Sequence, residues 1–219
     1  MPKSLGSFTS FLGAAVFPIG LILVILAGGE LVTGNMMTVS MAWLHKKIDL
    51  FHFIRNLVIV TFSNFIGAIF VAYFFGHIVG LTEGAFLAKT VTIAQAKLQN
   101  TPLQAFISAI GCNWLVCLAV WLSMGSKEFI GKIVGIWFPV MTFVAIGFQH
   151  VVANMFVIPA AIFSGHLTWV EYFPNFIFVF FGNLVGGMLF VALPYFISYN
   201  KKLPSNKEQT ALKKKSVSA

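Results

Sequence analysis

Long apolar stretches, each closed by a few polar or basic residues, set the pattern of this chain. They place membrane segments at 8–28 with a short continuation at 35–44, then at 57–81, 103–124, 133–163 and 175–199. A helix of about 20 apolar residues crosses a hydrocarbon layer, and these stretches supply that length. None shows the ten-residue alternation of apolar and polar positions that marks a membrane strand. The predicted fold is an all-α integral membrane bundle. Sections 45–56 and 125–132 read as short polar connectors, and 82–102 as a longer, partly amphipathic one. A single transmembrane domain over 1–200 is followed by a polar, basic tail at 201–219 whose composition predicts disorder.

Two of the apolar runs are interrupted. Ala27-Gly-Gly-Glu-Leu-Val-Thr-Gly-Asn35 places three glycines, an acid and a hydroxyl inside the first. Gly147-Phe-Gln-His-Val-Val-Ala-Asn-Met-Phe156 puts a histidine inside the fourth. Non-helical backbone at membrane depth is tolerated where it is buried in protein or lines a water-filled cavity. An ionisable group there is costly and marks a functional site by default, so His150 is the leading candidate. The competing readings are a histidine bonded to a neighbouring helix for packing, and glycines serving as close helix contacts. A half-helix is expected to start near Met36, capped by Asn35 or Thr33, and a second after His150. Two such N-termini at the midplane would favour an anion. Glu30, Gly29, Gly34, Asn35, Gln149 and Asn154 complete these candidate loops.

The interruptions belong to an internal repeat. Phe17-Pro18 pairs with Phe138-Pro139, Asn35-Met36 with Asn154-Met155, and the Asn-x-x-Gly step Asn64 to Gly67 with Asn183 to Gly186. Basic residues orient the copies. Lys46, Lys47 and Arg55, Lys127 and Lys132, and the six lysines of the tail make eleven of the 14 Lys and Arg, which assigns those regions to the cytoplasm. The copies then run in opposite directions, the inverted-topology plan of many transporters. The second copy has a helix, 103–124, ahead of its broken one and the first has none. With five crossings and the C-terminus inside, a sixth helix is expected ahead of 8–28.

Composition agrees with this plan and narrows the chemistry. Hydrophobic residues make up 58% of the chain and charged ones 9%, far from the roughly 25% charged of a soluble domain. The net charge of +8 follows from the cytoplasmic loops and tail and does not argue for nucleic acid. Cys112 and Cys117 lie five apart and read as buried apolar residues; neither they nor His45, His52, His77 and His166 have metal-ligand spacing. No catalytic constellation and no phosphate-binding glycine loop is present, so neither enzyme, metal nor cofactor is predicted.

Taken together, Gly29-Glu-Leu-Val-Thr-Gly-Asn-Met36, Asn113-Trp-Leu-Val-Cys-Leu-Ala-Val-Trp121, the His150 segment and Gly182-Asn-Leu-Val-Gly-Gly187 resemble the formate/nitrite transporter family. The resemblance covers about Ser4 to Tyr199. It implies an aquaporin-like protomer in a homopentamer of the cell membrane, carrying small monovalent weak-acid anions with protons. By the same resemblance His150 is the central pore histidine and Thr33 its hydrogen-bonding partner, with Asn113 and Asn183 beside it. Leu21 and Phe143 match constriction positions, Phe17 and Leu31 line the path near them, and Lys97 matches a basic residue of the outer vestibule. Gln149 stands where many members have Glu. Two alternatives remain at this stage: a water or neutral-solute channel, and a member that does not transport because it lacks its first helix.

Overall fold

The structure is a computed structural model that describes residues 6–199; the basic tail expected at 201–219 lies outside the described residues. Helices α1 (Gly6–Val16) and α2 (Ile19–Ala27) form one crossing, kinked at Pro18, which has no N–H to continue the helical ladder. After a break comes the half-helix α3 (Val32–Leu44). The chain returns along α4 (Leu50–Phe70), prolonged by a π-helical stretch at Val71–Ile78. The short α5 (Leu87–Leu98) leads to the spanning α6 (Pro102–Gly125). Helix α7 (Phe129–Ile146), a second break and the half-helix α8 (Val151–Phe163) follow. Finally α9 (Trp169–Gly187) runs through a π-helical segment at Met188–Ala192 into α10 (Leu193–Tyr199).

Five helical stretches are long and apolar enough to cross a membrane, and the described residues contain no strand. At 12 residues, α5 is too short to cross, so α4, α6 and α7 alternate in direction and the broken crossings α2–α3 and α7–α8 run opposite ways. The inverted repeat is therefore present.

Several boundaries move from their sequence positions, each for a local reason. Helix α4 starts at Leu50 rather than 57. Asp49 caps it by accepting the His52 N–H at 2.8 Å, and Phe53 and Leu57 already face the core, so His52, Arg55 and Asn56 belong to the helix and not to a connector. Helix α9 starts at Trp169 rather than 175 because Thr168 and Glu171 form a reciprocal capping box. Helix α3 begins at Val32, so Thr33 and Asn35 lie within its first turn and neither caps it. The Phe-Pro pairs do not correspond either, since Pro18 sits at a kink and Pro139 inside the continuous α7.

Helix α6 is the centre of the bundle, packed on α7, α9 and α3. Its contact with α9 is backbone-close: a Cβ on Gly182 or Gly186 would collide with the Phe106 or Ile110 carbonyl oxygen. Cys112 and Cys117 are buried on α6, as their apolar reading predicts.

Candidate functional site

Both breaks are built on one backbone plan. Gly28 and Gly147 end their helices in the left-handed region, at φ 76° and 82°. Leu31 and His150 follow in extended conformation, at φ −119° and −116°, and open the half-helices. These pairs stand 119 positions apart, and the same separation carries a polar scaffold from one copy to the other. Asn64 Oδ1 accepts the Val32 N–H at 2.9 Å while its Nδ2 donates to Glu30 O at 3.0 Å. Asn183 Oδ1 accepts the Val151 N–H at 2.8 Å while its Nδ2 donates to Gln149 O at 3.1 Å. Asn35 Nδ2 donates to Glu30 and Asn56 at 2.8 and 2.9 Å. Asn154 Nδ2 donates to Gln149 and Asn175 at 2.7 and 2.9 Å.

The half-helix N-termini are thus occupied by protein. Val32 and Val151 spend their N–H groups on asparagines from α4 and α9, and the Ala153 N–H donates to His150 Nδ1 at 3.1 Å. The expectation that these termini hold an anion does not apply to those donors. The same contact fixes the histidine's tautomer. A backbone N–H can only donate, so Nδ1 carries the lone pair and Nε2 the proton. Nε2–H then donates to Thr33 Oγ1 at 3.0 Å, in a pair where Thr33 is fully buried and His150 6% exposed.

Around this pair the walls are apolar. A cavity of about 310 Å³ is lined by His150 with Phe17, Leu21, Leu31, Val116, Val140 and Phe143 among others. The Phe143 ring stacks on His150 with centroids 5.6 Å apart and meets Phe17 edge-on at 5.9 Å. A second cavity of about 200 Å³ is lined by Gly29, Gly34, Asn35, Thr38, Val120, Ser123 and Met124 among others, the last two in the final turn of α6, which leads on to Lys127 and Lys132. Leu21, Val24 and Leu31 line both cavities and divide one from the other.

The structure gathers Phe17, Leu21, Leu31, Phe143 and His150 on one cavity, with Thr33 behind the histidine. Asn113 and Asn183 line neither cavity. Asn113 Nδ2 donates to Thr33 O at 3.2 Å and Asn183 O at 2.7 Å, and Asn183 also reaches Ala109 O at 2.8 Å, so both hold the breaks in place. Lys97 Nζ donates to Gly147 O and Phe148 O at 3.0 and 2.8 Å, and the Lys97 carbonyl accepts Gln149 Nε2 and Asn175 Nδ2 at 2.9 and 3.1 Å. Sequence reasoning missed the scaffold roles of Asn56, Asn64 and Asn175. The signal was available: three asparagine pairs share one separation of 119.

Residues 1–197 match the family model described as formate/nitrite transporter. The chain is 62% identical over 209 residues to "Uncharacterized transporter YrhG" of Bacillus subtilis (strain 168), covering 95% of this chain and 79% of that one. It is 59% identical over 202 residues to "Formate channel BtFdhC" of Bacillus thuringiensis, covering 92% and 78%. Among solved structures, an "FNT family ion channel" superposes with a TM-score of 0.83 at 29% identity, over 90% of this chain and 79% of that one. A "Pentameric formate channel with formate bound" does so at 0.75 and 32%, over 89% and 85%. With its broken inverted repeat and a match that runs nearly end to end, the chain belongs to the formate/nitrite transporter family.

Proposed function

We propose that this protein conducts small monovalent weak-acid anions, formate or nitrite among them, in company with a proton, along the path marked by the two cavities. The observation that carries the reading is His150: one imidazole, oriented by Ala153 and Thr33, in an otherwise apolar chamber. Support for the substrate class comes from the formate channel at 59% identity and the structure with formate bound. The latter's pentameric state supports a homopentamer here.

A bare anion meets a large desolvation cost at the divide formed by Leu21 and Leu31 and at the Phe17–Phe143 edge. The neutral acid does not. Lys97 supplies positive potential near the α7 break, the anion takes its proton from water at the mouth of the path, and the neutral acid meets the polar edge of His150 in the chamber, with Thr33 holding that imidazole from behind. His150 suits such a chamber because an imidazole changes charge near physiological pH. The basic loops and tail lie in the cytoplasm by the positive-inside rule, which puts the 200 Å³ cavity on the cytoplasmic side of a plasma-membrane protein.

The test is flux in proteoliposomes for formate, nitrite, hydrosulfide, lactate and acetate over about pH 5 to 8, where histidine titrates. His150→Asn keeps a hydrogen-bonding side chain without the titration, and its formate flux is expected to vary less with pH than the wild type's. Wild-type flux and pH dependence in both His150→Asn and His150→Ala would overturn the role of His150. Osmotic water flow without anion flux would overturn the substrate class.

A further inference from the structure

Helix α7 carries a cation at each end. Lys97 reaches the carbonyls of Gly147 and Phe148 beyond its C-terminus, where the helix macrodipole favours positive charge. Lys132 stands in its first turn, where the macrodipole opposes positive charge. Lys132 and Gly147 are about 22 Å apart along the axis, at 1.5 Å per residue. Positions three and four apart face one way, so Lys132 shares a stripe with Ile136, Val140 and Phe143. Ile136 is buried beside Leu21 and Val116, and Val140 and Phe143 line the cavity that holds His150. Lys132 itself is half-buried. Among the described residues its ammonium has neither an ion pair nor a hydrogen bond, and Glu128, one turn earlier, leaves it unpaired.

We propose that Lys132 is a positioning residue of the cytoplasmic mouth, drawing a small monovalent anion into the path from that side. The assignment rests on the anion-conduction reading above. Gly135 of α7 packs on α6, where a Cβ would stand 3.2 Å from Leu122 Cβ and 3.6 Å from Ser123 N. The two helices are antiparallel, so Lys132, a turn nearer the cytoplasm, lies beside the final turn of α6. Ser123 and Met124 in that turn line the second cavity. The hydroxyls of this cavity are engaged elsewhere: Ser123 Oγ donates to Val120 O at 2.6 Å and Thr38 Oγ1 to Gly34 O at 3.4 Å. Asn35 Nδ2 likewise serves Glu30 and Asn56. Attraction of an anion is thus left to the lysine, whose long stem carries its charge from an apolar turn to the water of the mouth. Low-dielectric walls on either side focus that charge. Topology alone does not call for a cation here, because Lys127 in the exposed connector satisfies the positive-inside rule as well.

The local potential is read from Met124→Cys in inverted membrane vesicles, as the ratio of its reaction rates with an anionic and a cationic methanethiosulfonate. The native Cys112 and Cys117 are buried and add little background. In this setting Lys132→Gln is expected to lower the anionic-to-cationic ratio by about threefold or more at low ionic strength, and Lys127→Gln to lower it much less. With Met124 restored, half-saturation of formate flux from the cytoplasmic side should rise about three- to tenfold in Lys132→Gln and return to the wild-type value in Lys132→Arg. An unchanged thiol ratio, or an equal fall with Lys127→Gln, would overturn the assignment. So would a lower ratio with wild-type half-saturation, since the charge would then face the mouth without serving the anion. No formate flux in the wild type would overturn the anion reading, and with it this role, while the thiol ratio still locates the charge.

Discussion

The two halves of this molecule share a skeleton and differ in how deeply it is covered. Around the second break Gln149, Asn154, Asn175 and Asn183 are all buried, and α5, α6 and α9 close over them. Around the first break Glu30 is exposed, and Asn35, Asn56 and Asn64 are partly so. Identical amide geometry therefore operates in two dielectric settings. Buried polar atoms lose most when unpaired, so equivalent substitutions should cost unequal amounts.

The largest gap is expected between Asn183→Leu and Asn64→Leu. The first strands the Val151 N–H and the Ala109 and Gln149 carbonyls in a dry interior, at about 1–3 kcal/mol for each group. The second strands one buried group, the Val32 N–H, and the carbonyl of the exposed Glu30, and should cost less. Thermal unfolding of the detergent-purified protein reads both, and equal losses would contradict the difference in burial.

Next come the equivalent glycines Gly186 and Gly67. A methyl at Gly186 runs into the Ile110 carbonyl, and forcing α6 from α9 should cost about 1–3 kcal/mol. At Gly67 nothing lies within 4 Å, so Gly67→Ala should be neutral or gain up to about 1 kcal/mol from helix propensity. Parallel melting curves decide it.

A smaller contrast sits where α3 and α8 end. Lys46 and Gly165 are equivalent, with φ 56° and 80°, and the left-handed region strains any side chain. Lys46→Gly is expected to stabilise by about 0.5–1 kcal/mol and Gly165→Ala to destabilise by about as much. Opposite shifts in the melting midpoint are the signature.

The smallest effect concerns the caps of α4 and α9. The His52 backbone N–H, then its side chain, holds the Asp49 carboxyl below its ordinary value. Its contribution is complete above the ordinary carboxylate range and is lost as pH falls through the lowered value. Asp49→Asn should therefore differ from wild type in melting midpoint at neutral pH and converge with it in acid.

Much of this could be read in the sequence because lipid imposes simple rules. Five long apolar runs, two polar interruptions and His150 in the second are unmistakable against a hydrocarbon background. What stayed hidden depends on contacts between distant segments. The first turns of α4 and α9 carry His52, Arg55 and Glu171, and only a cap or a buried Phe53 or Tyr172 reveals them as helix. Thr33 looked like a cap because hydroxyls favour that position. Its helix takes its cap from Asn64, 32 residues along the chain. At the divide, Leu21 and Leu31 are marked by the family resemblance alone and Val24 not at all, since nothing in their own pattern distinguishes these apolar residues from others facing lipid.

Asn183 bears on speed as well as stability. One amide on α9 fastens α6 by one hydrogen bond and the break before α8 by two, so a rocking motion of α9 must tear all three together. Side chains such as Phe17 and Phe143 can turn without disturbing that fastening. Rotamer changes of this kind occur in picoseconds to nanoseconds when unhindered, against microseconds to milliseconds for collective helix movement. The frame at Asn183 therefore favours small, fast side-chain movement over slow helix rocking, and relaxation measurements are expected to show motion of the Phe17 ring where the backbone around Asn183 shows none.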